Sequence, residues 1–114
     1  MALPSSGIGQ AIAAQLGAAG AHVTLGGRTR AAMEETARAI EKAGGKARVV
    51  VVDVRDVAQV RALVDGAVAE TGRLDILVNN AGVSFPGKIA DADPEEWRTM
   101  LETNVLALLA GSQA

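Results

Sequence analysis

The sequence predicts an α/β protein built on a parallel sheet. Stretches with helical periodicity alternate along the chain with short apolar stretches rich in β-branched residues. Ala and Val supply most of the 49% of residues that are hydrophobic, and such side chains suit helices packed closely on a buried sheet. This alternation predicts parallel strands joined by helices, with a right-handed connection at each crossover.

Composition bounds the class of protein and its partners. The 114 residues fit one domain, and a net charge of −2 gives no field that would attract nucleic acid or an anionic membrane. Cysteine is absent and His22 is the single histidine, so we expect neither a disulfide nor a metal site. The apolar runs are too short to span a bilayer and no signal peptide is recognisable, so we expect a cytoplasmic protein.

The first half of the chain contains two predicted helices and two predicted strands. Ile8, Ile12 and Leu16 recur every four positions and predict one apolar face of a helix from Gly7 to about Ala19. The elements that follow are a strand at residues 22–26, a helix at about residues 30–43 and a buried strand at residues 47–52.

The second half is predicted to hold two helices and one strand. Asp56 is the predicted N-cap of the third helix, with Gln59 in the capping-box position, and Gly72 ends it. A strand is predicted at residues 74–78, and the Asp93-Pro94 pair predicts the start of the last helix. The predicted inward faces are Val57, Val60, Leu63, Val64 and Val68 on the third helix, and Trp97, Leu101, Asn104 and Leu108 on the last.

A stretch of small residues immediately before the first helix predicts a phosphate-binding loop. Small residues let a backbone approach a phosphate closely, and the helix behind them points free N–H groups and its positive end at that phosphate. The alternative is an ordinary loop before a helix, since helices often begin at small residues. The stretch consists of Ser5, Ser6, Gly7, Ile8 and Gly9.

Three polar landmarks follow predicted strands at what should be one edge of the sheet, where ligands bind in such folds. Arg28 follows the first predicted strand, and a guanidinium without a neighbouring carboxylate there favours the 2′-phosphate of NADP over NAD. Asp53 can accept a hydrogen bond from the adenine amino group, while the backbone of Val54 can bond the ring. Alternatively, Arg28 is a solvated surface arginine, and Asp53 caps the turn that follows it.

The third landmark follows the strand predicted at residues 74–78. The amide of Asn79 can tie neighbouring loops together, Asn80 and Ala81 can line a ribose, and Gly82 leaves room for a cofactor. A simple turn is the alternative, because Asn and Gly dominate turns.

With these motifs the whole chain resembles the short-chain dehydrogenase/reductase family. The Thr-Gly-x-x-x-Gly-Ile-Gly loop of that family aligns with residues 2–9, and its Asn-Asn-Ala-Gly motif occurs at residues 79–82. Its adenine-contacting aspartate corresponds to Asp53, and its helix asparagine corresponds to Asn104. The resemblance implies a Rossmann-type, doubly wound parallel sheet, here a partial NAD(P)-binding domain over residues 1–114. It also implies a small carbonyl or alcohol substrate and a homo-oligomeric parent enzyme.

The resemblance gives Asn104 a catalytic role and also shows what the chain lacks. In the family this asparagine acts with a serine and a Tyr-x-x-x-Lys pair, and it would hold a water in the proton relay. The sequence contains no tyrosine, and the lysines Lys42, Lys46 and Lys88 do not stand in the required context. General acid catalysis in the manner of the family is therefore not expected from this chain alone.

The first strand of the family's sheet is also largely absent, since only residues 1–3 remain of it. The glycine loop is altered as well: Leu3 replaces the family's first glycine, and Pro4 has no N–H to offer a phosphate. In the family's strand order the first strand lies centrally, so its neighbours would stand about 10 Å apart, two strand spacings. We therefore expect an amino-terminal fragment, or a decayed or mis-bounded gene product, of an NADP-preferring oxidoreductase. The alternative is a non-catalytic nucleotide-binding or interaction module.

Overall fold

The fold consists of helices packed on a short parallel sheet. The computed structural model describes residues 7–79, 93–106, 109 and 111–112. The elements within them are α1 (Gly7–Ala18), β1 (His22–Gly27), α2 (Arg30–Lys42), β2 (Lys46–Val51), α3 (Val57–Thr71), α4 (Pro94–Leu101) and a π-helical turn (Glu102–Leu106). None of the described helices is both long enough and apolar enough to cross a bilayer.

Two strands form the sheet that the described residues contain. β1 and β2 pair in parallel, from His22 opposite Lys46 to Gly27 opposite Val51. The ladder ends with the N–H of Val52 donating to the carbonyl of Gly27 over 2.8 Å. Because the strands are parallel, their carboxyl ends lie at the same edge of the sheet. We call this edge, where residues 28 and 53 follow the strands, the carboxyl rim.

The core is divided between two apolar clusters. One lies where α1 and α2 pack against β1, and its most enclosed side chains are Val23, Leu25, Met33 and Ile40. The other lies between α3 and the chain that follows β2, and consists of Val52, Val54, Val60, Leu63 and Val64.

Helix boundaries agree closely with the sequence, because local side chains fix them. Asp56 caps α3 by accepting from the N–H groups of Ala58 and Gln59, and Gly72 ends it with φ of 83°. Asp93 caps α4 with Pro94 in its first turn. The capping box predicted at Gln59 forms in half: the N–H of Gln59 donates to Asp56 Oδ1, but the side-chain oxygen of Gln59 accepts from the N–H of Asp53.

The predicted apolar face of α1 is buried only in part, since Leu16 packs against the β1 cluster and Ile12 is half-buried while Ile8 lies at the surface. Ile8 is 70% exposed, whereas Gly9, Ala13 and Gly17 are the buried positions. A Cβ on Gly17 would lie 2.6 Å from Cγ2 of Ile40, so the two helices approach too closely for a larger side chain. The small residues of α1 therefore face α2, and the isoleucine is left at the surface. On α3 the outer valines of the predicted face, Val57 and Val68, are likewise exposed.

The strand predicted at residues 74–78 does not form a ladder. Residues 73–77 have no regular secondary structure, and Val78 makes a single β-bridge. Leu74 and Leu77 nevertheless pack against the α3 cluster, and Val78 packs against the β1 cluster. An apolar pattern alone therefore does not decide whether a segment joins the sheet, because strand formation also depends on the tertiary surroundings.

The last helix differs from its prediction in its buried face. Trp97 is 39% exposed and Leu101 is 59% exposed, and Asn104 is exposed as well. The buried residue of this segment is Thr103, in the π-helical turn. The helix therefore does not bury the apolar stripe that its periodicity predicts, and Leu108 lies outside the described residues.

Candidate dinucleotide site at the carboxyl rim

The carboxyl rim brings Arg28 and Asp53 into one neighbourhood. Arg28 is exposed and follows the buried Gly26-Gly27 end of β1, while Asp53 lies two residues beyond the end of β2. Among the influences that lower the pKa of Asp53 is the charge of Arg28, which places the two groups within electrostatic reach. The expectation that these residues share one rim is therefore met.

The Asp53 carboxylate is held by Arg55. The guanidinium of Arg55 donates to both carboxylate oxygens, with Nε–Oδ1 at 3.1 Å and Nη2–Oδ2 at 2.9 Å. The backbone N–H of Arg55 donates to Oδ1 over 3.0 Å, which closes a tight turn. Hydrogen bonds from Arg55 are the main reason that the pKa of Asp53 lies below its ordinary value.

This geometry fits the interpretation in which Asp53 caps a turn, and it leaves the backbone of Val54 beside that turn. Sequence reasoning missed Arg55, although the Asp-x-Arg spacing was visible. A guanidinium two residues from a carboxylate, across a tight turn, is placed to form such a fork.

Arg28 differs from the other arginines of this rim. Arg55 is occupied by Asp53, and Arg30 forms an ion pair with Glu34 at 3.6 Å. Arg28 forms no ion pair with any residue in the described ranges 7–79 and 93–106. Its guanidinium is therefore available to an anion from solution.

The start of α2 lies directly beside Arg28. Thr29 is the N-cap residue, but its side chain makes no capping hydrogen bond, and the first turn of α2 carries no acidic side chain. A helix start with free N–H groups and no carboxylate favours an anion. Arg28 and this helix start together suit a phosphate group.

The glycine loop is described in part. Gly7 is exposed at the first turn of α1, and a Cβ built on it meets nothing within 4 Å. A side chain at this position would therefore meet none of the described residues. Ile8 is exposed and Gly9 is buried. Ser5 and Ser6 lie outside the described residues.

Asn79 connects the third landmark to the end of the chain. Its Nδ2 donates to Oγ of Ser112 over 3.4 Å, and its Oδ1 would lie 3.1 Å from a Cβ on Gly111. The prediction was a tie between loops, whereas the partner in this structure is a helical residue that the sequence did not indicate. Asn80, Ala81 and Gly82 lie outside the described residues.

Asn104, the predicted catalytic residue, lies in the π-helical turn that continues α4. The residue is exposed and not part of either core cluster. Glu102 at the start of this turn helps to raise the pKa of Arg55, so the turn lies near the rim formed by β2. π-helical turns of this kind occur frequently at functional sites.

Comparison with known proteins decides the family. A family model for short chain dehydrogenases matches residues 4–114. The chain belongs to the short-chain dehydrogenase family. An uncharacterized oxidoreductase from Methylorubrum extorquens is 42% identical over 111 residues, which are 96% of this chain and 45% of that protein.

Solved structures of short-chain dehydrogenases confirm the Rossmann-type fold class. A double mutant of a short-chain dehydrogenase/reductase from Serratia marcescens superposes with a TM-score of 0.93 at 37% identity, covering 97% of this chain and 46% of that one. A tryptophan variant of actinorhodin polyketide ketoreductase, solved with NADPH, superposes with a TM-score of 0.89 at 35% identity, over 95% of this chain and 41% of that one. The chain thus spans less than half the length of these relatives.

Proposed function

We propose that this chain forms the cofactor-binding part of an NADP-preferring short-chain dehydrogenase. The parent reaction moves a hydride between nicotinamide and a carbonyl or alcohol carbon of a small molecule. The observation that carries the cofactor preference is the exposed Arg28 beside the start of α2, without a carboxylate partner in the described residues. Support comes also from a relative of the same fold that was solved with NADPH.

The rim has the chemistry that a dinucleotide phosphate requires. In the proposal, Arg28 and the first turn of α2 hold the 2′-phosphate, while Gly7 and the loop with Ser5, Ser6, Ile8 and Gly9 face the pyrophosphate. Asp53, the Val54 backbone, and Asn80, Ala81 and Gly82 complete the site on the adenine and ribose. Bound NADPH would supply the hydride; the protein supplies position and charge.

Asp53 does not compete for Arg28 in this arrangement. Its carboxylate is neutralised by the Arg55 fork, so the rim retains a net positive charge at Arg28. Without that fork, an aspartate near the 2′-phosphate would repel it. Arg55 therefore supports the NADP preference indirectly, by occupying the rim carboxylate.

Proton transfer needs more than these 114 residues provide. We propose that Asn104, in the π-helical turn, holds a water of the proton relay. The sequence has no tyrosine that could protonate a carbonyl oxygen in the way the family does. The proposed activity thus belongs to the parent enzyme, which we propose to be cytoplasmic and homo-oligomeric.

A non-catalytic nucleotide-binding module is the second candidate, and the absence of tyrosine favours it for the chain by itself. Both candidate functions include cofactor binding, so a cofactor affinity cannot separate them and only the rate of hydride transfer can. Hydride transfer by a protein containing these residues, and its dependence on Asn104, separates them.

The test of the cofactor proposal is a calorimetric titration with NADP and with NAD. We expect tighter binding of NADP, and a loss of about tenfold in the NADP-to-NAD preference in Arg28→Ala, because a charge-assisted hydrogen bond contributes roughly 1.5 kcal/mol or more. High salt should weaken the preference. The matched control is Arg38→Ala, which removes another exposed arginine, from the later turns of α2. Equal affinities in the parent chain, or a preference unchanged in Arg28→Ala, would contradict the proposal.

A further inference from the structure

The turn that follows β2 carries a backbone N–H group whose two neighbours are already hydrogen-bonded. The N–H of Asp53 donates to Oε1 of Gln59 over 2.8 Å, and the N–H of Arg55 donates to Oδ1 of Asp53 over 3.0 Å. Val54 between them is a buried residue, and no residue in the described ranges accepts from its N–H. Because a buried N–H is costly to leave unpaired, an acceptor atom of a ligand is favoured at this position.

The Asp53 carboxylate keeps room for one further hydrogen bond on Oδ2. A carboxylate has about four lone-pair sites, two on each oxygen. Within the described residues, Oδ1 accepts from the backbone N–H and from Nε of Arg55, whereas Oδ2 accepts from Nη2 alone. The Asp53 side chain is still 33% exposed. A donor group of a ligand can therefore reach the carboxylate while the fork with Arg55 stays intact.

An acceptor next to a donor matches the edge of adenine, whose 6-amino group donates and whose N1 accepts. Hypoxanthine has the same two rings with the opposite pattern, because its 6-oxo group accepts and its N1–H donates. Against Asp53 and Val54 it would set acceptor against acceptor and donor against donor. A site built in this way rejects the wrong base through the polar groups that are left unpaired.

We propose that Arg55 is a positioning residue that makes this site select a 6-aminopurine over a 6-oxopurine. The inference rests on the proposed cofactor function, since the purine is that of the bound dinucleotide. Arg55 acts through Asp53, by fixing the direction in which the carboxylate accepts. Two guanidinium donors on two carboxylate oxygens give a planar pair with little freedom to rotate.

The position of Arg28 explains why a fixed carboxylate is needed. The charge of Arg28 also acts on Asp53, so a carboxylate released from the fork is free to turn towards that second cation. It would then leave the purine edge and occupy the guanidinium that we assign to the 2′-phosphate. A 6-oxo group would meet less repulsion in such a site, and the preference for adenine would fall.

The experiment titrates the full 114-residue chain calorimetrically with NADP and with its hypoxanthine analogue, in which a 6-oxo group replaces the 6-amino group. We expect NADP to bind at least about tenfold more tightly than the analogue. Arg55→Ala should lower this ratio of affinities by at least about threefold, because the acceptor is no longer held in place. General damage to the site would weaken both ligands together, so the ratio reports positioning and not folding.

Three variants separate geometry from charge. Arg55→Lys keeps the positive charge but has no planar fork, so it should not restore the ratio. In Asp53→Asn the amide can donate or accept, so the ratio should fall to about one and Arg55→Ala should then change it no further. The matched control is Arg73→Ala, which removes another arginine that donates to an aspartate two residues away, Asp75 at 3.1 Å, and should leave the ratio unchanged.

Each outcome distinguishes this inference from the proposed function. Equal binding of NADP and its analogue, a ratio unchanged in Arg55→Ala, or a ratio fully kept in Arg55→Lys overturns the inference and leaves the NADP preference at Arg28 standing. A ratio that Arg55→Ala lowers, in a chain that binds NAD as tightly as NADP, supports the inference and contradicts that preference. No binding of either dinucleotide at about 1 mM overturns both.

Discussion

The Asp53 carboxylate accepts three hydrogen bonds from Arg55, two from its guanidinium and one from its backbone N–H. The pKa of Asp53 is consequently lowered from its ordinary value of 3.8 in the folded chain. A carboxyl whose pKa falls on folding stabilises the fold above its unfolded pKa, and this contribution is lost as the pH falls through the folded pKa. The rim turn should therefore lose stability at acid pH.

Arg55→Ala should return the pKa of Asp53 towards 3.8, because the largest influences on it come from Arg55. The measurement is an NMR titration of the Asp53 carboxyl carbon. Arg28→Ala should raise the same pKa by less, since Arg28 acts only through its charge. Arg73→Ala, which breaks an ion pair elsewhere, is the control and should leave it unchanged. If Asp53 titrates alike in Arg55→Ala and the parent, the fork is absent in solution.

At the scale of elements, the close contact between α1 and α2 depends on a glycine, which has no side chain. Gly17 is buried, and a Cβ there would lie 2.6 Å from Cγ2 and 3.0 Å from Cγ1 of Ile40. Both atoms belong to a buried, β-branched side chain that cannot easily move aside. Gly66 of α3 is different, since a Cβ there would lie 3.4 Å from the guanidinium of Arg48, the end of a flexible side chain.

We expect Gly17→Ala to destabilise the chain by about 1–3 kcal/mol through overpacking. Gly66→Ala should instead be neutral or stabilise by up to about 1 kcal/mol, because alanine favours a helix interior. Urea unfolding of both variants measures the difference. In an Ile40→Ala background the penalty of Gly17→Ala should disappear, since the clashing atoms are gone. A penalty that persists there would show that α1 and α2 do not meet at this glycine.

On the scale of the whole molecule, the chain exposes much apolar surface. The large exposed hydrophobic residues include Ile8, Ile76, Leu101 and Leu109. The radius of gyration of 14.8 Å exceeds the value of about 13 Å typical of a compact domain of this length. The two core clusters lie on different elements, and a cavity of about 560 Å³ is lined by residues of β1 and by residues 73–76.

We therefore expect weak cooperativity and concentration-dependent association of the purified chain, because open strand edges and apolar patches attract other chains. Sedimentation velocity over a range of concentrations, together with thermal melting, tests this. A monomer with a sharp melt in the ordinary mesophile range would contradict this expectation.

We also expect no dehydrogenase turnover by the chain alone, since its sequence offers no tyrosine as proton donor. NADPH oxidation with a panel of ketones and aldehydes provides the measurement. Turnover above the buffer rate that is lost in Asn104→Ala would contradict this expectation and would show that these residues suffice for the chemistry.

The sequence by itself determined the local features of this protein. Helix starts at Asp56 and Asp93 and the helix end at Gly72 follow from side chains within one turn, so they were predicted correctly. The parallel β1–β2 pair follows from the alternation of strands and helices along the chain, which leaves few other arrangements. The motifs also predicted the family correctly.

Tertiary structure decided what depends on distant residues. The buried face of α1 is set by the close approach of Ile40 to Gly17, which no periodicity within α1 contains. Residues 74–77 have no regular secondary structure despite their apolar pattern, because strand formation depends on tertiary neighbours as well as on the propensity of the segment. The Asp53 carboxylate binds the guanidinium of Arg55 because a tight turn brings the two together. Arg28 is left exposed to solvent.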